Sequence, residues 1–120
     1  MPFTRELGIE VLEGSAAVMS TRLAWAAEKC TAGGALHGGV LMALADATGG
    51  MCAFLNLPDG GTGTSTIESK TNFFRPLTGG NATATAQLLH IGRRTIVVET
   101  EIRGDNDKLV AKVTQTQAVL

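Results

Sequence analysis

Gly38-Gly39-Val40-Leu41-Met42-Ala43-Leu44-Ala45-Asp46-Ala47-Thr48-Gly49-Gly50-Met51-Cys52-Ala53-Phe54-Leu55-Asn56-Leu57 is a stretch of twenty residues with a single ionisable side chain, Asp46. Its apolar residues from Val40 to Leu55 fall on every side of a helical wheel, so the helix they form is expected to be buried on most faces. Gly49-Gly50 in the interior costs about 1 kcal/mol per glycine relative to alanine, which predicts close packing of the helix backbone against another element. Pro58-Asp59-Gly60-Gly61 ends the segment. A carboxylate is rarely buried unless something pairs with it or uses it, so Asp46 is the first candidate for chemistry.

Outward from the helix the pattern changes from helical to alternating. Asn81 to Ile91 sets Ala82, Ala84, Ala86 and Leu88 against Thr83, Thr85 and Gln87, and Thr95 to Arg103 sets Ile96, Val98, Thr100 and Ile102 against charged and polar neighbours. Both are period-2 signals for half-buried strands. Gly92-Arg93-Arg94 and Gly104-Asp105-Asn106-Asp107 read as turns, Lys108 to Val119 as a last strand, and Ser65 to Phe74 as a strand stopped by Pro76 and Gly79-Gly80. Upstream, Ile9 to Leu12 and Ala16 to Leu23 read as a hairpin around Glu13-Gly14-Ser15. The resulting order is two strands, a buried helix and four strands. This is an α+β arrangement in which a long antiparallel sheet wraps its apolar face around one central buried helix.

A length of 120 residues fits a single domain, 1–120, with no linker or repeat. With 44% hydrophobic residues, 18% charged residues and a formal net charge of -1, nothing in the composition attracts a polyanion. Arg93-Arg94 is the only adjacent basic pair, too little for DNA or RNA. Cys30 and Cys52 lack a CxxC spacing, which suggests reduced thiols and no metal site. The start of the chain turns charged at once and lacks the features of a secretory signal, so a cytoplasmic location is expected. Gly38 to Leu57 approaches membrane-spanning length, but Asp46 at its centre would cost roughly 2.5–3.5 kcal/mol on insertion, which favours a core helix and no membrane partner.

Leu36-His37-Gly38-Gly39-Val40, Asp46 nine positions after the histidine, Asn72-Phe73-Phe74-Arg75-Pro76 and Gly92-Arg93-Arg94-Thr95 together resemble the hotdog-fold acyl-coenzyme A thioesterases of the phenylacetate-degradation type. The similarity runs from about Gly8 to Leu120. It implies a hotdog fold, a homodimer or dimer of dimers, and hydrolysis of an acyl-coenzyme A (acyl-CoA) thioester without metal or organic cofactor. In the same terms, Asp46 falls on the catalytic acid and Gly38 on the glycine whose N–H polarises the thioester carbonyl. His37 falls on the motif histidine, and Thr66, ten residues before Pro76, on a hydroxyl that assists near the attacking water. Gly39 and Gly34 fit the loop pattern around the substrate. Thr31 stands where many relatives carry asparagine six residues before the histidine. Arg75, Arg93 and Arg94 are candidates for the coenzyme A phosphates, although charged turn residues are usually only solvated.

The chemistry agrees with these residue types. Thioester hydrolysis develops negative charge on the carbonyl oxygen, which N–H donors at a helix N-terminus meet with a hydrogen bond and the positive end of the dipole. Glycine lets a carbonyl approach that backbone without a Cβ in the way. The attack needs a carboxylate, as general base on water or as nucleophile. Gly38 and Asp46 are eight residues apart, about 12 Å along a helix axis at 1.5 Å per residue, so one thioester carbon cannot touch both. Donor and acid are therefore expected from different subunits of a two-fold dimer. Other readings are a structural Asp46 tied to a buried hydroxyl, a His37 that only caps the loop, and a noncatalytic acyl-CoA binder or sensor. A dehydratase would want a histidine beside the acid, and His90 lies in a strand with no acid near it. Gly60-Gly61-Thr62-Gly63 lacks the Gly-Lys ending of a phosphate loop.

Overall fold

In the computed structural model, which describes residues 1–120, a six-stranded sheet curves around one long helix. The elements are α1 (Pro2–Glu6), β1 (Glu10–Gly14), β2 (Met19–Ala24), α2 (Gly38–Phe54), β3 (Thr64–Phe73), β4 (Asn81–Ile91), β5 (Thr95–Arg103) and β6 (Leu109–Val119), with a single 3-10 turn at Ala27–Lys29. The sheet order is β1-β2-β4-β5-β6-β3, and every neighbouring pair is antiparallel. α2 packs across β2 to β6. The α+β wrap expected from the pattern is thus the fold observed.

Strands β4 and β5 have the boundaries their alternation predicts. Ile96, Val98, Thr100 and Ile102 are all buried, as are Ala82, Ala84 and Ala86. The alternation of β4 stops at a bulge between Leu88 and His90, and Leu89 within it and Ile91 beyond it face solvent. At the N-terminal side the reading needs correction. β1 and β2 run one to three residues later than expected because the turn is closed at Ser15–Val18, where the Ser15 hydroxyl accepts from the Val18 N–H. α1, which has no buried residue, was not legible.

Two apolar clusters form the core. Leu23, Leu41, Leu44, Ile102 and Val113 centre the larger, and Met19, Cys52, Ile96 and Val98 the smaller. Burial pushes the Cys52 thiol up from its ordinary range, which keeps it protonated and inert. Between the clusters runs a belt of buried polar side chains, Thr21 on β2, Thr48 on α2, Thr100 on β5 and Gln115 on β6. Thr48 donates to the Leu44 carbonyl at 2.6 Å, so Thr21 donates to Thr48 at 2.7 Å.

α2 is buried on most faces, as its pattern predicts, but one side stays open in the single chain. Gly39, Met42, Asp46, Phe54 and Leu55 are exposed along one side, so the all-round apolar pattern serves a face that this chain alone leaves open. The two interior glycines also differ. A Cβ on Gly49 would collide with the Gln115 amide, so there the close approach is real. A Cβ on Gly50 would meet nothing within 4 Å.

Candidate active site

His37 caps α2. Its backbone is extended at φ -59° and ψ 135°, and its Nδ1 accepts from the Gly39 N–H at 2.8 Å. The Val40 and Leu41 N–H groups donate to the His37 carbonyl. Gly38 N–H therefore remains as the first-turn donor with no partner in the chain. Of the two glycines expected to present donors, only Gly38 has one to offer. The Phe73 ring lies against Gly38, at 3.0 Å from where a Cβ would be, so a side chain larger than hydrogen would displace it.

Two turns further along α2, Asp46 projects from the open side of the helix, exposed rather than buried as expected. Its Oδ1 accepts from the Thr66 hydroxyl at 2.7 Å and from Gln115 Nε2 at 3.3 Å. Gln117 Nε2 in turn donates to Thr66 Oγ1 at 2.7 Å. A bulge in β3 makes this arrangement possible. Gln115 and Gln117 are two apart on β6, yet their partners on β3 are Ser69 and Thr66, three apart, with the irregularity between Thr66 and Glu68. The extra residue keeps both Thr66 and Ser69 on the face toward α2, where strict alternation would have placed only one.

Asp46 borders a cavity of about 720 Å³ lined by Met19, Ala47, Gly50, Met51, Phe54 and Thr66 among others. Asp46 is its only acidic or basic side chain. Gly38 borders a different cavity, of about 350 Å³, with Leu36, Leu41, Phe73, Arg75 and Leu77. Within one chain the donor and the acid thus face separate spaces.

The remaining expected residues divide between the two ends. Arg75 lies beside Gly38, its Nη1 donating to the Leu109 carbonyl. Arg93 and Arg94 are exposed on the turn before β5, where the Arg94 carbonyl accepts from the Val119 N–H. Thr95 pairs with Ala118, which pairs with Ser65, so this turn flanks the Thr66 end of the sheet. Thr31 and Gly34 meet neither Asp46 nor the donor. The Thr31 hydroxyl accepts from the Gly33 N–H, and Gly34, at φ +78°, offers its carbonyl to Trp25 Nε1. They shape the turn that leads into α2. Gln115 and Gln117 were missed in the sequence, although their phase with Ala111 and Val113 put two amides on the buried face of β6.

No helix is long and apolar enough to cross a membrane. The family model for the thioesterase superfamily matches residues 33–111. Rv1847 of Mycobacterium tuberculosis, whose given name is esterase, is 32% identical over 118 residues, which span 93% of this chain and 81% of that protein. Its solved structure superposes with a TM-score of 0.96 at 29% identity, covering 100% of this chain and 97% of the other. PA5202 from Pseudomonas aeruginosa gives a TM-score of 0.91 at 36% identity, covering 100% and 94%. A variant of the phenylacetic acid degradation protein PaaI from Thermus thermophilus gives 0.91 at 29% identity over 100% of both chains. The chain therefore belongs to the thioesterase superfamily, as a hotdog-fold hydrolase of the PaaI-like type that acts on thioesters.

Proposed function

We propose that the chain hydrolyses an acyl-coenzyme A thioester in the cytoplasm, at a site shared by two subunits. The observation that carries this reading is the separation of an unpaired Gly38 N–H from a fixed Asp46 carboxylate on one continuous helix. A two-fold axis with the helices antiparallel brings the Gly38 end of one chain to the Asp46 end of the other. The same operation joins Arg75 of one chain to Arg93 and Arg94 of the other around one site, a cationic set suited to the coenzyme A phosphates. Exposed Met42 and Phe54 on α2, and the free edge of β3 with Ile67 60% exposed, supply surface for such a dimer. A dimer of dimers is the larger assembly this reading allows.

In the reaction Asp46 takes a proton from water as the water oxygen attacks the thioester carbon. The partner's Gly38 N–H holds the developing oxyanion. The C–S bond then breaks, and the proton passes from Asp46 to the leaving thiolate, giving the free acid and coenzyme A. The alternative role for Asp46, as nucleophile, would leave heavy oxygen in its side chain after turnover in labelled water.

The acyl group is expected in the cavity beside Asp46, whose surface is mostly apolar and carries no charged side chain other than Asp46. Gly50 bears on its size. It sits four residues after Asp46 on the same side of α2, with nothing within 4 Å of a Cβ and no left-handed backbone, so nothing inside the chain requires a glycine there. A side chain there would occupy that open space. Gly50→Val is expected to lower kcat/KM for bulky acyl groups by about 10-fold or more while sparing short ones. A chain-length series read by free-thiol release checks this.

A panel of short, aromatic and long acyl-CoA thioesters with the same thiol readout tests the activity itself. Turnover of at least one member is expected. Thermal stabilisation by every member with hydrolysis of none would instead identify an acyl-CoA binder or sensor.

A further inference from the structure

The buried glutamines of β6 are the part of the site that hydrolysis by Asp46 and Gly38 leaves unexplained. Gln115 is 0% exposed and Gln117 1% exposed, on a strand face that otherwise carries Ala111 and Val113. An apolar side chain would fill either position without an amide to satisfy, and burying an amide is unfavourable unless it is fully bonded. Gln115 is not fully bonded. Its Nε2 donates to Asp46 Oδ1 at 3.3 Å and to the Asp46 carbonyl at 3.4 Å, but its Oε1 is buried without a partner. Reversing the amide would aim Oε1 at the carboxylate, acceptor against acceptor, so this is the orientation that makes a bond. The side chain crosses α2 at Gly49, where any Cβ would collide with it.

Gln117 acts one step away. Its amide nitrogen can only donate, so the Thr66 hydroxyl accepts from it and must direct its own proton to Asp46 Oδ1. Both routes therefore end on the same oxygen. Oδ1 receives two donors, and Oδ2 has none in the chain.

We propose that Gln115 and Gln117 are positioning residues that fix the Asp46 carboxylate through Oδ1 and leave Oδ2 as the oxygen that faces the reacting water. Gly49 is part of the same device, because it admits Gln115 to the helix. The inference rests on Asp46 being the catalytic carboxylate.

Within the chain no charged side chain pairs with Asp46, and Arg93, Arg94, the partner's His37 and the partner's Arg75, which flank the shared site, are the same in wild type and variants. α2 has no second ionisable carboxylate or amine, Glu68 of β3 bonds Thr116 on the outer face, and Lys112 of β6 pairs with Glu99 and Glu101 there. Lys70 of β3 bonds Asn72, in alternation with the inward Ser69 and Thr71. The Met1 terminus borders the cavities that Asp46 borders and is the same in every variant compared.

Gln115→Met and Gln117→Met keep side-chain volume and remove the donors. Each is expected to keep or raise Tm, since an incompletely satisfied amide is lost, while kcat falls about 10-fold to 100-fold with KM nearly unchanged. The acidic limb of the pH profile of kcat/KM should move up by about half a unit to one unit, because a carboxylate that loses a donor holds its proton more tightly. A purely structural role would lower Tm and leave that limb in place. Wild-type kcat and an unmoved limb in both variants would overturn the proposal. If Gln115→Met does not fold, Gln117→Met alone decides, since it does not touch Gly49. Asp46→Asn measured in parallel separates the two readings. An inactive Asp46→Asn beside fully active glutamine variants overturns only the positioning, whereas a fully active Asp46→Asn overturns the catalytic reading beneath it.

Discussion

Asp46→Asn is expected to fold with wild-type stability and to lose on the order of 10³-fold or more in kcat, measured by thiol release under substrate saturation. The substitution keeps the shape of the side chain and its acceptor for Thr66, and it removes the basic oxygen. The alternative reading, in which Asp46 is a helix carboxylate tied to a hydroxyl, predicts the opposite pattern. That contact does exist, at 2.7 Å to Thr66, but Asp46 is exposed at the edge of an apolar cavity, so little of the fold depends on its charge. A structural role would lower Tm and spare turnover of the folded fraction. Retention of kcat within a few fold of wild type would contradict the assignment.

Gly38→Pro should produce the second large loss, about 10²-fold to 10³-fold in kcat, the range for deleting one oxyanion donor. Proline removes the N–H and nothing else that the helix uses. The first helical position tolerates it, and His37 already has the extended ψ of 135° that a residue before proline prefers. The cost falls on Phe73, whose ring must move aside, and that ring is half-exposed and able to shift. Gly38→Ala controls for this displacement. It meets the same ring and keeps the donor, so it should retain far more activity than Gly38→Pro.

Legibility in the sequence followed local pattern. Strands β4 and β5 were readable to the residue because their inner positions are uniformly apolar or Thr100, and α2 was readable from its length and its glycine turn. The bulge between Thr66 and Glu68 was not, since an extra residue erases the alternation that would reveal it. That single irregularity hid why Thr66 and Gln115 meet at Asp46. The glutamines were hidden for a different reason. Alternating Gln and Thr from Thr114 to Gln117 looks like a surface, and only the phase set by Ala111 and Val113 shows which of them turn inward. Asp46 stands out in the sequence from a burial it does not have in one chain. The apolar pattern of α2 describes the helix with its remaining face covered, and a sequence pattern does not say whether the cover is the same chain or another. His37 shows the reverse case, a motif residue whose visible role is to cap α2 and occupy the Gly39 N–H.

The central claim is that acid and donor come from different subunits, and co-expression of Asp46→Asn with Gly38→Pro tests it most directly. Each variant alone is nearly inactive. A mixed dimer carries one site with both lesions and one with neither, so random pairing of equal amounts should restore about a quarter of wild-type activity. If each chain instead builds its own site, every site in the mixture carries one lesion, and activity that stays at the level of the two parents would contradict the account.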